Sequence, residues 1–162
     1  KFAAQAIKKA AEIGWKPTHY LNSVSSSVAS VIIPAGAANA VDVMTAFYLK
    51  DPTDTQWQSS KEYKDWLEWM QKYYPQGDLK DSNNVYGYTA AMGLVEVLKR
   101  AGDNLTRDNL MKVASNLEFT LPMLLPGVNV KTGPDDFFPI ERQQLQKWDG
   151  KGWVLFGKVY GR

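Results

Sequence analysis

A cluster of hydroxyl side chains in the stretch LNSVSSSV is the first feature of this sequence that could do chemistry. Its serines are Ser23, Ser25, Ser26 and Ser27, between a short strand-like segment and an apolar run. A single serine is enough to cap a helix, because one hydroxyl satisfies one free amide. Several hydroxyls beside the free N–H groups of a helix start can also hold a carboxylate. The cluster is therefore interpreted either as alternative helix caps or as one wall of an anion-binding site.

Other side chains with chemical potential are few. His19 is the only histidine, so a Ser-His-Asp triad or a histidine metal site has no second candidate, and we assign it a structural or surface role. Asp135 and Asp136 follow a Gly-Pro pair and are expected to form a solvated turn. The alternative is an acid/base pair assisted by Lys131. Since no cysteine, GxSxG or phosphate-loop motif is present, we expect no enzyme activity, metal or cofactor.

Composition limits the kinds of partner. The chain has 162 residues, of which 44% are hydrophobic, enough for one sizeable core or two small ones. Its 19 basic and 17 acidic side chains are spread along the chain without a clustered basic face, so a nucleic acid partner is not expected. No apolar run approaches the roughly 18 residues that a membrane span needs.

The elements of the first 49 residues alternate between helix and strand. A helical pattern runs from the start of the chain to Gly14 with no capping residue before Phe2, which indicates a fragment of a longer protein. A short helix after the serines is expected to stop at Pro34 and Gly36, and Val41–Leu49 has the composition of a buried strand. This order favours a parallel α/β arrangement.

Three helices and a hairpin are predicted beyond a polar, proline-containing linker. The first helix is expected to be capped by Ser59 with Glu62 and to end before Pro75. The second runs to Arg100, and the third begins at Thr106. The second helix is expected to bury a face made of Tyr88, Ala91, Met92, Val95 and Leu98. The predicted hairpin joins strands Ile140–Trp148 and Trp153–Tyr160 through Asp149-Gly150-Lys151-Gly152.

Six stretches carry a resemblance to a known family. They are KFAAQAIKKAAEIGWKP, SVASVIIPAG, AFYLKDPTDTQW, NNVYGYTAAMGLVEVLKRAGDNLTRDNLMK, LLPGVNVKTGPDDFFPI and QKWDGKGWVLFG. Together, in this order, they resemble the C-terminal half of an extracellular solute-binding protein of the branched-chain amino acid and aromatic acid ABC transporter family. The resemblance covers nearly the whole chain.

This resemblance implies an α/β fold of the type I periplasmic-binding-protein kind, with two Rossmann-like lobes joined by a hinge and present here as a C-terminal fragment. Residues 1–49 and 141–162 would belong to the second lobe and residues 54–139 to the first. The hinge passages would be residues 50–53 and 139–142, with Asp51 and Pro52 as pivots. A ligand would bind in the cleft and the lobes would close over it.

The resemblance also implies which residues face the cleft. They are the ligand-binding candidates Ser23, Ser25, Ser26, Ser27, Asn83, Asn84 and Tyr86. Of these, Ser25, Ser26 and Asn84 would donate hydrogen bonds, and Tyr86 would supply an apolar wall. Amino-acid binders of the family carry an acidic residue in the loop equivalent to Asn22–Ser25, and this chain has none there. We therefore expect an aromatic acid or a related carboxylate, with a branched-chain amino acid as the alternative.

The implied function is that of the substrate-binding subunit of an ABC importer, exported to the periplasm. Its expected partners are a small carboxylate ligand, a membrane permease, and either the missing N-terminal segment or a second copy of the chain. The alternative is the ligand-sensing extracellular module of a receptor with the same fold. The sequence alone leaves the identity of the ligand open.

Overall fold

The computed structural model describes residues 1–162 and contains five helices. They are α1 (Phe2–Glu12), α2 (Ile33–Ala35), α3 (Lys61–Tyr73), α4 (Ser82–Ala101) and α5 (Arg107–Ala114). Turns of 3-10 helix cover Ser23–Ser25 and Ala37–Ala40, and a π-helical turn, Val28–Ile32, runs directly into α2. The strands are β1 (Met44–Phe47), β2 (Glu118–Phe119), β3 (Val130–Lys131), β4 (Gln143–Trp148) and β5 (Trp153–Tyr160).

The strands form antiparallel sheets, contrary to the parallel arrangement predicted for the start of the chain. One sheet has the order β1-β4-β5 and the other pairs β2 with β3. Parallel pairing is limited to a single bridge between Tyr20 and Met44. The difference arises because the C-terminal hairpin returns to lie beside β1. That hairpin turns where it was predicted, since Asp149 accepts hydrogen bonds from the amides of Lys151 and Gly152.

Two helix boundaries differ from the sequence prediction. The side chain that caps α3 belongs to Ser60, which accepts a hydrogen bond from the Tyr63 amide, and not to Ser59. Pro34 does not itself end the helical segment after the serines, because it lies inside the run that continues from the π-helical turn Val28–Ile32 to Ala35. Gly36 ends that helix with a φ of 85°.

Buried apolar side chains form two separate clusters. The terminal core comes from both ends of the chain: Ala4, Ile7, Val28, Val31, Ile32, Ala35, Ala40, Val43, Trp148 and Trp153. The central core comes from the middle: Phe47, Leu49, Trp66, Met70, Val85, Leu117, Met123, Leu124, Leu125, Val128 and Val130. Strand β1 runs from one core to the other: Val43, directly before it, packs in the terminal core, and Phe47, its last residue, packs in the central core. Between them, Thr45 pairs with Gln146, and both side chains are buried.

Helix α4 buries a different face from the predicted one. Val85 and Thr89 are buried, whereas Val95 is 47% and Leu98 is 39% exposed. The apolar periodicity of α4 extends around more than one face, so the sequence alone did not distinguish the face that packs here. Leu94, Val95 and Leu98 thus form an apolar stripe of α4 that remains in contact with solvent.

Candidate functional site

The serine segment, Ser23–Ser27, lies where the chain leaves the Tyr20–Met44 bridge and enters the π-helical turn. Ser23 and Ser25 are partly exposed, whereas Ser26 is buried. The Ser26 hydroxyl donates to the Ser23 carbonyl at 2.7 Å, and the Ser26 carbonyl accepts from Trp153 Nε1 at 2.9 Å. Because its single hydroxyl proton is used inside the segment, this geometry does not support Ser26 as a ligand donor.

Ser27 makes a contact that reaches across the molecule. Its hydroxyl accepts from the Ser30 amide at 3.3 Å, which caps the π-helical turn, and donates to Asp81 Oδ1 at 2.8 Å. Ser27 is only 2% exposed, so water competes little for this hydrogen bond. The serine segment therefore does hold a carboxylate in this structure, and that carboxylate belongs to the protein itself.

Asp81 is the N-cap of α4 and the residue that sequence reasoning missed. Its Oδ1 also accepts from the Asn83 amide at 3.0 Å and from Asn83 Nδ2 at 2.9 Å. Its Oδ2 has no hydrogen-bond partner within the protein. The sequence analysis expected Asn83 and Asn84 to face the cleft, but only the tertiary structure brings Asp81 to Ser27. We call the group Ser27, Asp81 and Asn83 the polar junction.

Asn84 and Tyr86 have different surroundings. The Asn84 side chain donates to the Asp78 carbonyl at 2.8 Å, so it is used within its own loop. Tyr86 is 56% exposed and borders an apolar cavity of about 440 Å³. The cavity is also lined by Tyr48, whose pKa is raised by burial and, secondarily, by the nearby Tyr86 phenol. Two phenol groups thus border a mainly apolar space, which suits an apolar ligand body.

Helix α4 carries Asp81 at its N-cap and Tyr86 at the border of the apolar cavity. Asp81 and Tyr86 are five residues apart, which corresponds to about 7.5 Å along a helix axis. The arrangement contains donors, an acceptor and an apolar wall, which are the components of a non-covalent binding site.

The predicted hinge passage, residues 50–53, is well anchored. Asp51 is buried and accepts from the Thr53 amide at 2.8 Å. Lys50 Nζ donates to the Pro122 carbonyl at 2.8 Å. Next to Pro52 lies a crevice of about 440 Å³, lined by side chains that pack with both cores, including Val28 from the terminal core and Tyr63 from beside the central core. The two cores are therefore separated by open space beside Pro52.

The remaining sequence candidates do not join this site. His19 and Asp136 belong to different parts of the chain, and Asp136 Oδ1 accepts from the Phe138 amide within its own turn. Lys131 pairs with Glu118 at 3.7 Å rather than with Asp135 or Asp136. No group of three or more potential metal-ligating side chains is present, and none of the helices combines the length and apolarity needed to span a bilayer.

The chain is similar to periplasmic binding proteins. The sequence model of that family matches residues 1–152. A branched-chain amino acid ABC transporter structure from Thermus thermophilus with bound valine aligns at TM-score 0.78 and 18% identity. A possible leucine/isoleucine/valine-binding protein from Rhodopirellula baltica SH 1 aligns at TM-score 0.74 and 13% identity. A leucine binding protein from Thermotoga maritima MSB8 aligns at TM-score 0.66 and 15% identity.

These alignments use nearly all of this chain but only part of the relatives. They cover 98%, 95% and 98% of this chain, and 43%, 39% and 41% of the respective solved chains. The chain thus spans about two fifths of the length of the structures it matches. At these identities the likeness shows a shared fold. None of the curated proteins matches this chain.

Proposed function

This chain belongs to the periplasmic binding protein family, and on that premise we propose that it forms part of the solute-binding subunit of an ABC importer. It has the type I periplasmic-binding-protein fold. The proposed activity is reversible capture of a small solute without bond chemistry. The observation that carries the proposal is the Ser27–Asp81 hydrogen bond, which joins polar groups from two separately packed parts of the chain.

In the proposed architecture, residues 1–49 and 141–162 belong to one lobe and residues 54–139 to the other, with hinge passages at residues 50–53 and 139–142. Two observations support this division: the two separate cores, and the crevice beside Pro52. The end of β1 would pack with the lobe formed by residues 54–139, since Phe47 lies in the central core. Extended strands that cross between two cores can bend without disrupting either core.

For the ligand, a branched-chain amino acid is now preferred to the aromatic acid expected from the sequence. The relatives from Thermus, Rhodopirellula and Thermotoga are named for branched-chain amino acids, and none is named for an aromatic acid. The sequence argument against an amino acid rested on the lack of an acidic residue between Asn22 and Ser25. Asp81 removes that objection, because it brings a carboxylate to the serine segment from α4.

Within the proposed site, Asp81 Oδ2 would accept from the ligand ammonium, because it has no partner in the protein. The partly exposed Ser23 and Ser25 would donate to the ligand carboxylate. Tyr86 would contact the apolar side chain, and Asn83 would hold Asp81 in place through its two hydrogen bonds. Charge-assisted hydrogen bonds of this kind are stronger than neutral ones.

The complete protein would work in the periplasm and deliver its solute to a membrane permease. The exposed apolar stripe of α4 would be covered by another segment of the complete protein or by a second copy of the chain. A sensor module of a receptor remains the second candidate. A receptor would release a signal through a conformational change and would not pass solute to a permease.

Calorimetric titration of the full-length protein would test the ligand and the role of Asp81. Valine and leucine are expected to bind, and benzoate and octanoate to bind at least tenfold more weakly, because they lack an ammonium. Asp81→Asn keeps a helix-capping side chain but removes the charge, so it should weaken valine binding by about tenfold to a hundredfold.

The matched control is Asp78→Asn. Asp78 lies in the same loop and accepts from the Lys80 amide, but its side chain does not contact the serine segment. Valine affinity should be unchanged in this variant. Tighter binding of benzoate than of valine or leucine would refute the amino-acid assignment, and equal valine affinity in Asp81→Asn and the unmodified protein would refute the role of Asp81.

A further inference from the structure

The Ser27–Asp81 hydrogen bond is isolated in the hydrogen-bonding pattern of the molecule. It is the only hydrogen bond between residues 1–43 and residues 54–139, and no salt bridge joins these two parts. It is also the only side chain to side chain hydrogen bond between residues more than four positions apart.

Both partners are fixed by their own elements. Ser27 is the cap of the π-helical turn in front of α2, and Asp81 is the cap of α4. Asp81 Oδ1 is oriented by two further donors, both from Asn83. Because each side chain is held by local hydrogen bonds, forming the contact between them costs little additional side-chain entropy.

We propose that the Ser27–Asp81 hydrogen bond is a clasp that keeps the two parts of the molecule together when no ligand is bound. The crevice beside Pro52 is lined from both parts, and its lining includes Val28 and Lys80, the chain neighbours of Ser27 and Asp81. Opening the crevice requires the Asp81 carboxylate to leave Ser27 and to be solvated. A fraction of the ligand-free protein is therefore closed. Ligand binding then shifts the equilibrium between the open and closed forms further towards the closed form.

Distance measurement on ligand-free, full-length protein tests the clasp. This chain contains no cysteine, so none of its residues competes for a thiol-reactive spin label. Labels at Lys8→Cys in α1 and Lys112→Cys in α5 place one exposed probe on each part. Double electron–electron resonance then gives the distribution of distances between them.

Removal of either partner should open the molecule. Ser27→Ala is expected to increase the ratio of long to short distances by about tenfold to a hundredfold, the effect of losing one hydrogen bond to a charged group. Asp81→Ser keeps a helix-capping hydroxyl but removes the carboxylate, and should produce the same shift. The double variant should shift no further than either single variant, since both changes remove the same bond.

Ser60→Ala is the matched control, because Ser60 also caps a helix but contacts only its own element. Its distance distribution should equal that of the unmodified protein. Unchanged distances in both Ser27→Ala and Asp81→Ser, or additive shifts in the double variant, would overturn the clasp. Since the measurement is made without ligand, its failure would leave the proposed ligand class untouched.

Discussion

At the scale of single residues, Asp51 is the only buried carboxylate, and it lies at the proposed hinge. Burial raises the pKa of Asp51 above its ordinary value. Hydrogen bonds from the Thr53 hydroxyl and amide oppose this shift, and the charge of Asp54 adds to it. The adjacent Lys50 does not neutralise Asp51, because its ammonium donates to Pro122 and lies 3.7 Å from Glu62.

Asp51→Asn is therefore expected to change the pH dependence of stability. The folded protein keeps the Asp51 proton to a higher pH than the unfolded chain does, so the free energy of unfolding falls as pH rises from the ordinary aspartate pKa through the raised one. The amide side chain of this variant could still accept from Thr53 but carries no charge. Urea titrations from about pH 3 to about pH 7 should show the variant gaining stability relative to the unmodified protein across that window; parallel pH profiles would contradict the prediction.

At the scale of elements, Gly102 determines where α4 ends. Its φ is 59° and its ψ is −139°, a conformation that residues with a Cβ rarely adopt. No atom lies within 4 Å of the position that a Cβ would occupy there. The requirement for glycine is thus conformational and does not arise from crowding, and the chain can turn from α4 towards α5.

Gly102→Ala should lower the free energy of unfolding by about 1–3 kcal/mol through backbone strain. Gly87→Ala is the matched change inside α4, where a Cβ would also meet no atom within 4 Å. That substitution should raise the free energy of unfolding by about 0.5–1 kcal/mol, because alanine loses less conformational entropy in a helix. Chemical denaturation of this chain measures the free energy of unfolding of both variants. An unchanged value in Gly102→Ala would show that the turn after α4 relaxes to accept a Cβ.

At the scale of the whole molecule, helix α4 leaves an apolar stripe in contact with water. Leu94, Val95 and Leu98 each leave more than a third of their surface in water. The chain spans about two fifths of the length of the relatives it matches. We interpret the stripe as a surface that another segment or another copy covers, because contiguous apolar surface favours association.

The 162-residue chain by itself is therefore expected to self-associate at micromolar concentration. Leu94→Glu should shift it towards monomer, since a charge in the stripe opposes burial. Leu105→Glu changes an equally exposed leucine outside α4 and should leave association unchanged. Light scattering across a concentration series gives the mass. A monomer with full helical content at every concentration would contradict the interpretation of the stripe.

The sequence by itself determined most of the helices, the C-terminal hairpin and the family. These features depend on local signals: apolar periodicity before Gly14, the caps near Ser60 and Thr106, and the turn at Asp149–Gly152. It failed where one pattern permitted several packings. Helix α4 is apolar on more than one face, and β1 could have paired in either direction.

Only the tertiary structure decided the composition of the polar junction. The serine segment and the start of α4 were each expected to face the cleft, but Ser27 and Asp81 are 54 residues apart and share no local signal. Their contact depends on how two separately packed cores sit against each other. Long-range side-chain contacts of this kind follow from packing geometry, which residue spacing does not encode, whereas helix caps and turns are set by the few residues that form them.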